Sequence, residues 1–86
     1  MKIYDYKGRK NLCGQKIRKI RLAKDLSQVD LAARIQVEEL MLQSGSVSRI
    51  ELGTRFVSDY ELFVLAKILG VSMEELMELP QEEAYR

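Results

Sequence analysis

Three serines in this 86-residue chain stand just ahead of an acid, in Ser27-Gln28-Val29-Asp30, Ser58-Asp59-Tyr60-Glu61 and Ser72-Met73-Glu74-Glu75. A serine hydroxyl so placed accepts from backbone N–H groups that lack an intrahelical partner, and the acid suits the positive end of the helix that follows. Gly53 and Gly70 give the opposite signal, a left-handed stop. These marks divide the chain into short helices.

The apolar spacing agrees. Ile17 and Ile20, framed by Lys16, Arg18, Lys19 and Arg21, predict a basic amphipathic helix from Gly14 to near Asp25. Leu31, Ala32 and Ile35 supply the inner face of a second helix, and Val47 and Ile50 that of a short third one. Leu62, Leu65, Ala66 and Leu69 build a fourth, and Leu76 and Leu79 a last one before Pro80. No segment shows a convincing strand; residues 1–11 alternate only weakly, carry Gly8 and read as an arm or short extended piece. The expectation is an all-α fold, a compact five-helix bundle over residues 12–80, with an N-terminal arm at 1–11 and a short polar tail at 81–86. The stretch QVEELMLQSG between the second and third helices is too long for a tight turn. Its Val37, Leu40, Met41 and Leu42 are expected to pack inward, and part of it to extend the second helix.

Hydrophobic residues at 47% support one modest core, with no length for a separate catalytic domain. The chain has no histidine, which removes His-based triads and zinc–histidine sites. It has no Gly-rich nucleotide loop. Its one cysteine, Cys13, makes an internal disulfide impossible and reads as a small core residue. Glu74, Glu75 and Glu78 have the spacing of one solvated helix face. The chain is therefore expected not to be an enzyme and to need no metal and no cofactor. No apolar run approaches the ~18–20 residues of a membrane span. The opening Met-Lys-Ile-Tyr-Asp-Tyr-Lys has no signal-peptide apolar region, so the expected location is cytoplasmic.

The net charge of +1 conceals a gradient. Residues 1–26 hold nine Lys and Arg against Asp5 and Asp25, whereas residues 56–86 hold Lys67 and Arg86 against seven acids. The basic end is suited to meeting an anion.

The ordered series IRKIRLAKDLSQVDLAARI, VSRIELGTR and YELFVLAKILGVSMEEL resembles the Cro/C1-type (XRE) helix-turn-helix family of DNA-binding regulators, over roughly residues 12–79. The resemblance implies a lambda-repressor-like DNA-binding domain. Its turn is longer than the family's most frequent one by about five residues, counted from Gln28 to Val47. Asp25 stands where the family often has glycine, and Ser44-Gly45-Ser46 where it often has large polar residues. The implied function is a sequence-specific transcriptional regulator, expected to be a repressor, that places the helix around residues 44–52 in the major groove of double-stranded DNA.

The chemistry of the residues fits that reading. Small polar residues at the leading end of a helix let the backbone approach base edges, as Ser44, Gly45, Ser46 and Ser48 would. Arg49 can fork two donors onto a guanine. Matching family positions make Gln43, Ser44, Gly45, Ser48 and Arg49 the base-reading candidates. Gln28 and Arg55 are the candidates for the DNA backbone, with Lys16 and Lys19 adding a non-specific electrostatic attraction. The family also implies an ion pair between Arg21 and Glu51 as a structural brace. One short helix reads few base pairs, so a homodimer on half-sites ~34 Å apart is expected. Its surface would draw on Phe63, Val71, Met73 and Met77, with Tyr4 and Tyr6. The alternative is an antitoxin or adaptor-type module that uses the same scaffold to hold a protein partner. DNA binding by the purified chain alone would separate the two.

Overall fold

The computed structural model describes residues 6–78, so Tyr4, Leu79, Pro80 and the polar tail lie outside the described residues. Five helices follow in order: α1 Gly14–Ala23, α2 Gln28–Val37, α3 Ser44–Leu52, α4 Asp59–Leu69 and α5 Met73–Leu76. The fold is all-α, as expected.

The serine devices act locally. Ser27 Oγ accepts from the Asp30 N–H at 2.9 Å, and the Asp30 carboxylate accepts from the Ser27 N–H at 2.9 Å. Ser58 and Glu61 exchange the same two bonds, and Ser72 Oγ accepts from the Glu75 N–H at 3.0 Å. The helix ends are equally regular. After α1, α2, α3 and α4 a left-handed residue follows, at Asp25, Glu39, Gly53 and Gly70. Beyond each, an N–H reaches back five residues to a helix carbonyl: Leu26 to Arg21, Leu40 to Ile35, Thr54 to Arg49 and Val71 to Ala66. Asp25 and Glu39 hold this conformation without glycine's freedom, which costs each of them some backbone energy.

The core joins Ile17 of α1, Leu31 and Ile35 of α2, Val47 and Ile50 of α3, Leu65 and Leu69 of α4, and Leu76 of α5. Each such side chain contributes roughly 1.5–3 kcal/mol on burial. α3 packs against both α1 and α2, and α4 closes the bundle against the same two helices.

One expectation is corrected in part. Gln36 and Val37 of the QVEELMLQSG stretch do belong to α2, which ends there as Glu39 turns left-handed. Only Leu42, 5% exposed, enters the core, with Leu40 half-buried against it; Val37 and Met41 are 80% and 79% exposed. The arm, as far as it is described, is tied back to the domain. Tyr6 and Arg9 pair through two backbone hydrogen bonds around Lys7 and Gly8, both at positive φ. That backbone is the tight hairpin turn compatible with strand twist. Lys10 N–H then donates to the Gly53 carbonyl at 2.8 Å, which attaches the segment to the end of α3.

Candidate nucleic-acid interface

α3 turns Val47, Ile50 and Glu51 into the protein and leaves Gly45, Arg49 and Leu52 exposed. Ser44, Ser46 and Ser48 are half-buried along its flanks. The outward surface at its leading end is therefore small and polar, with Arg49 the cation beside it. Arg49 is held only lightly, by one 3.3 Å hydrogen bond from its guanidinium to Ser46 Oγ.

What holds α3 is a buried carboxylate. Arg21 Nε donates to Glu51 Oε2 at 2.6 Å and Nη2 to Oε1 at 3.0 Å, both side chains being almost wholly buried. The hydrogen bond to Glu51 raises the pKa of Arg21 and secures its charge. Arg21 Nη1 donates to the Leu26 carbonyl at 2.7 Å, and Gln28 Nε2 donates to Glu51 Oε1 at 3.1 Å. One carboxylate thus gathers α1, α2 and α3. Among the described residues no buried side-chain polar atom lacks a hydrogen bond.

A second fastening has no counterpart in the sequence reading. Asn11 Nδ2 donates to the carbonyls of Ile50 and Arg55 at 3.0 and 2.8 Å, while its Oδ1 accepts from the Gly14 N–H at 2.8 Å. Arg9 spreads its guanidinium over Gly53, where a Cβ would lie 2.6 Å from Cζ, and Arg9 Nε donates to the Asn11 carbonyl. Gly14 permits the close crossing of α1 over α3, since a Cβ there would overlap the Ile50 carbonyl oxygen. The available signal was the spacing of Asn11 three residues before Gly14, which is that of a helix cap.

The candidate residues are distributed unevenly. Gln43, Ser44, Gly45, Ser48 and Arg49 lie together on α3 and its approach, with Gln28 at the start of the adjacent α2. Gln28 is half-buried and engaged with Glu51. Arg55 is not a bare surface cation: it forks onto Glu61 at 3.1 Å through each terminal nitrogen and donates to the Phe56 carbonyl. Burial raises the Glu61 pKa, but the bonds from Arg55 and from the Ser58 N–H outweigh it and hold Glu61 below the usual range. Lys16 and Lys19 are not brought to α3. They line a groove with Leu69, Val71 and Glu75, and Lys16 is paired with Glu78 at 3.2 Å.

Burial pushes the Cys13 thiol up to about 11, which makes it a poor nucleophile. Among the described residues no group of His, Cys, Asp and Glu could hold a metal ion, and no helix is long and apolar enough to cross a membrane.

A family model described as helix-turn-helix matches residues 17–76. Two solved structures are similar to the chain. The restriction-modification controller protein C.AhdI from Aeromonas hydrophila is 36% identical with a TM-score of 0.64, the match covering 73% of this chain and 84% of that one. The DNA-binding domain of BldD is 30% identical with a TM-score of 0.63, covering 81% of this chain and 92% of the other. Among curated proteins none matches significantly.

Proposed function

This chain belongs to the Cro/C1-type (XRE) helix-turn-helix family of DNA-binding regulators, and from that premise we propose a sequence-specific repressor that inserts α3 into the major groove. The observation that carries the reading is the contrast between the two sides of α3. Its inner side is fixed by the Arg21–Glu51–Gln28 cluster, and its outer leading end presents small polar residues and Arg49. A helix that reads bases needs both a rigid seat and a low-bulk edge.

Gln43, Ser44, Gly45, Ser48 and Arg49 meet base edges in this reading. Gln28 and the N–H groups at the start of α2 meet a phosphate. Arg55 reaches the DNA backbone by sharing its guanidinium between Glu61 and a phosphate. Lys16 and Lys19, away from α3, add only a diffuse attraction. A domain of this size acts most simply by covering a promoter in the cytoplasm, so repression is the sign we assign.

Two copies bind together. Tyr60 and Phe63 project from α4, and Met77 follows α5, all exposed, while Val71 and Met73 are half-buried beside them. A two-fold pair joined there would read half-sites about 34 Å apart. The test is selection of bound sequences from random duplex DNA, followed by binding across salt concentrations. Enrichment of a near-palindrome by the purified chain supports a regulator. Binding that appears only when a second protein is added would favour the adaptor.

A further inference from the structure

We propose that the cleft between α2 and the loop leading into α3 is a thymine-methyl subsite, in which Val29 and Met41 hold the C5 methyl of a thymine at or beside the base pair read by Gln43. The proposal rests on the assignment of α3 to the major groove.

The cleft has a volume of about 310 Å³ and is lined by Val29, Ala33, Met41, Gln43 and Ser44 among others, none of them charged. Without a cation in its wall it does not suit a phosphate. It is also too small to seat a partner helix, which with its side chains is ~10–12 Å across. Its floor is Leu42 and its lips are apolar: Val29 is 66% and Met41 79% exposed. Its far wall is Gln43 and Ser44, the first residues of the candidate reading edge, so the cleft and that edge form one continuous surface.

Gln43 gives an independent reason. α2, α4 and α5 each start with a serine whose side chain caps the helix, whereas α3 starts with Gln43, whose side chain makes no capping bond. Serine is the better residue for that local task. A glutamine amide left outside the protein's own hydrogen bonding can instead pair with the N6 and N7 positions of adenine, and the same base pair presents the thymine methyl in the same groove. Adenine by the amide and the methyl by the apolar lips together specify an A·T step.

Thymine is replaced by deoxyuridine, one position at a time, in the duplex selected by the wild-type chain. This removes the methyl and nothing else. At one thymine, wild-type affinity should fall about fourfold, the worth of burying one methyl group. Met41→Ala, at an exposed position that leaves the core intact, should have lost that margin already and should bind the two duplexes alike. If every thymine can be replaced without loss, or if Met41→Ala and Val29→Ala both keep the full uridine penalty, the subsite is overturned while the regulator stands. If no sequence is enriched at all, the groove-reading function falls and the subsite falls with it.

Discussion

Asn11 and Ile50 are joined by a 3.0 Å hydrogen bond from the Asn11 amide to a carbonyl in the last turn of α3. The same side chain serves Arg55 and Gly14. Asn11→Ala would leave three backbone groups seeking partners, at a cost of about 1–3 kcal/mol. Asn11→Asp keeps the acceptor for Gly14 but turns a carboxylate oxygen toward the Ile50 and Arg55 carbonyls, so it should be at least as damaging. Denaturant unfolding measures both, and an alanine variant as stable as wild type would show that water replaces the amide.

Glu51→Ala should be far more damaging than Glu75→Ala. Removing Glu51 strands the Arg21 charge in the interior, an effect of about 3–5 kcal/mol, whereas Glu75 is only half-buried, in the wall of an open groove. That is a large share of the ~5–15 kcal/mol typical of a domain. Comparable melting temperatures for the two variants would remove the brace from the account of α3.

Gly45 and Arg49 separate stability from recognition. Nothing but the Arg49 side chain lies within reach of a Cβ at Gly45, so the fold does not require glycine there. Gly45→Ala should stabilise the free protein by about 0.5–1 kcal/mol and, with α3 in the groove as proposed, still weaken binding to the selected duplex through the added methyl. Arg49→Ala should relax the preference at one base step and cost about 1–3 kcal/mol on the correct site. Arg55→Ala should weaken all sequences alike. A Gly45→Ala protein that binds as tightly as wild type would place the leading end of α3 outside the groove.

Acid should unfold this domain through identifiable carboxylates. For Glu61, burial acts upward but the Arg55 and Ser58 bonds bring the pKa below its ordinary 4.5. For Asp30, the Ser27 N–H and hydroxyl bring it below 3.8. A depressed folded value means that the stabilisation is complete above the unfolded value and disappears as pH falls through the folded one. The melting temperature should therefore stay level down to about pH 5 and fall below it. Glu61→Gln should start lower at neutral pH and show a shallower acid decline. An equally steep decline in that variant would assign the acid response elsewhere.

Sedimentation with and without a palindromic duplex tests the pairing of copies. Wild type should bind two per site, and Phe63→Glu or Met77→Glu should reduce this to one copy with at least a tenfold loss of affinity, the ~1.4 kcal/mol scale of a modest interface contact. A chain that binds one copy per site, indifferent to both substitutions, would leave α3 working alone.

The legible parts of the molecule were the local ones. Ser27, Ser58 and Ser72 announce helix starts because cap and acid lie within four residues, and Gly53 and Gly70 announce stops because αL geometry favours glycine. Met41 and Val37 misled because apolar type alone does not fix a side chain's direction: both are exposed, on either side of Glu39, whose type gives no warning of its left-handed conformation. The Asn11 bonds span 39 and 44 residues and leave no mark in any window of sequence. The Arg55–Glu61 pair could have been anticipated, since Glu61 was already placed at a helix start six residues downstream. Arg21 and Glu51 came from the family resemblance, because thirty residues separate two charges that composition alone would leave at the surface.

The hairpin at Tyr6–Arg9, bonded onward through Lys10 to Gly53, decides where a fusion can be attached. A tag or fluorophore placed ahead of Tyr6 leaves the domain one hairpin away from the last turn of α3. With α3 in the groove as proposed, a bulky partner at that end would crowd the duplex, whereas a small dye there would report its arrival.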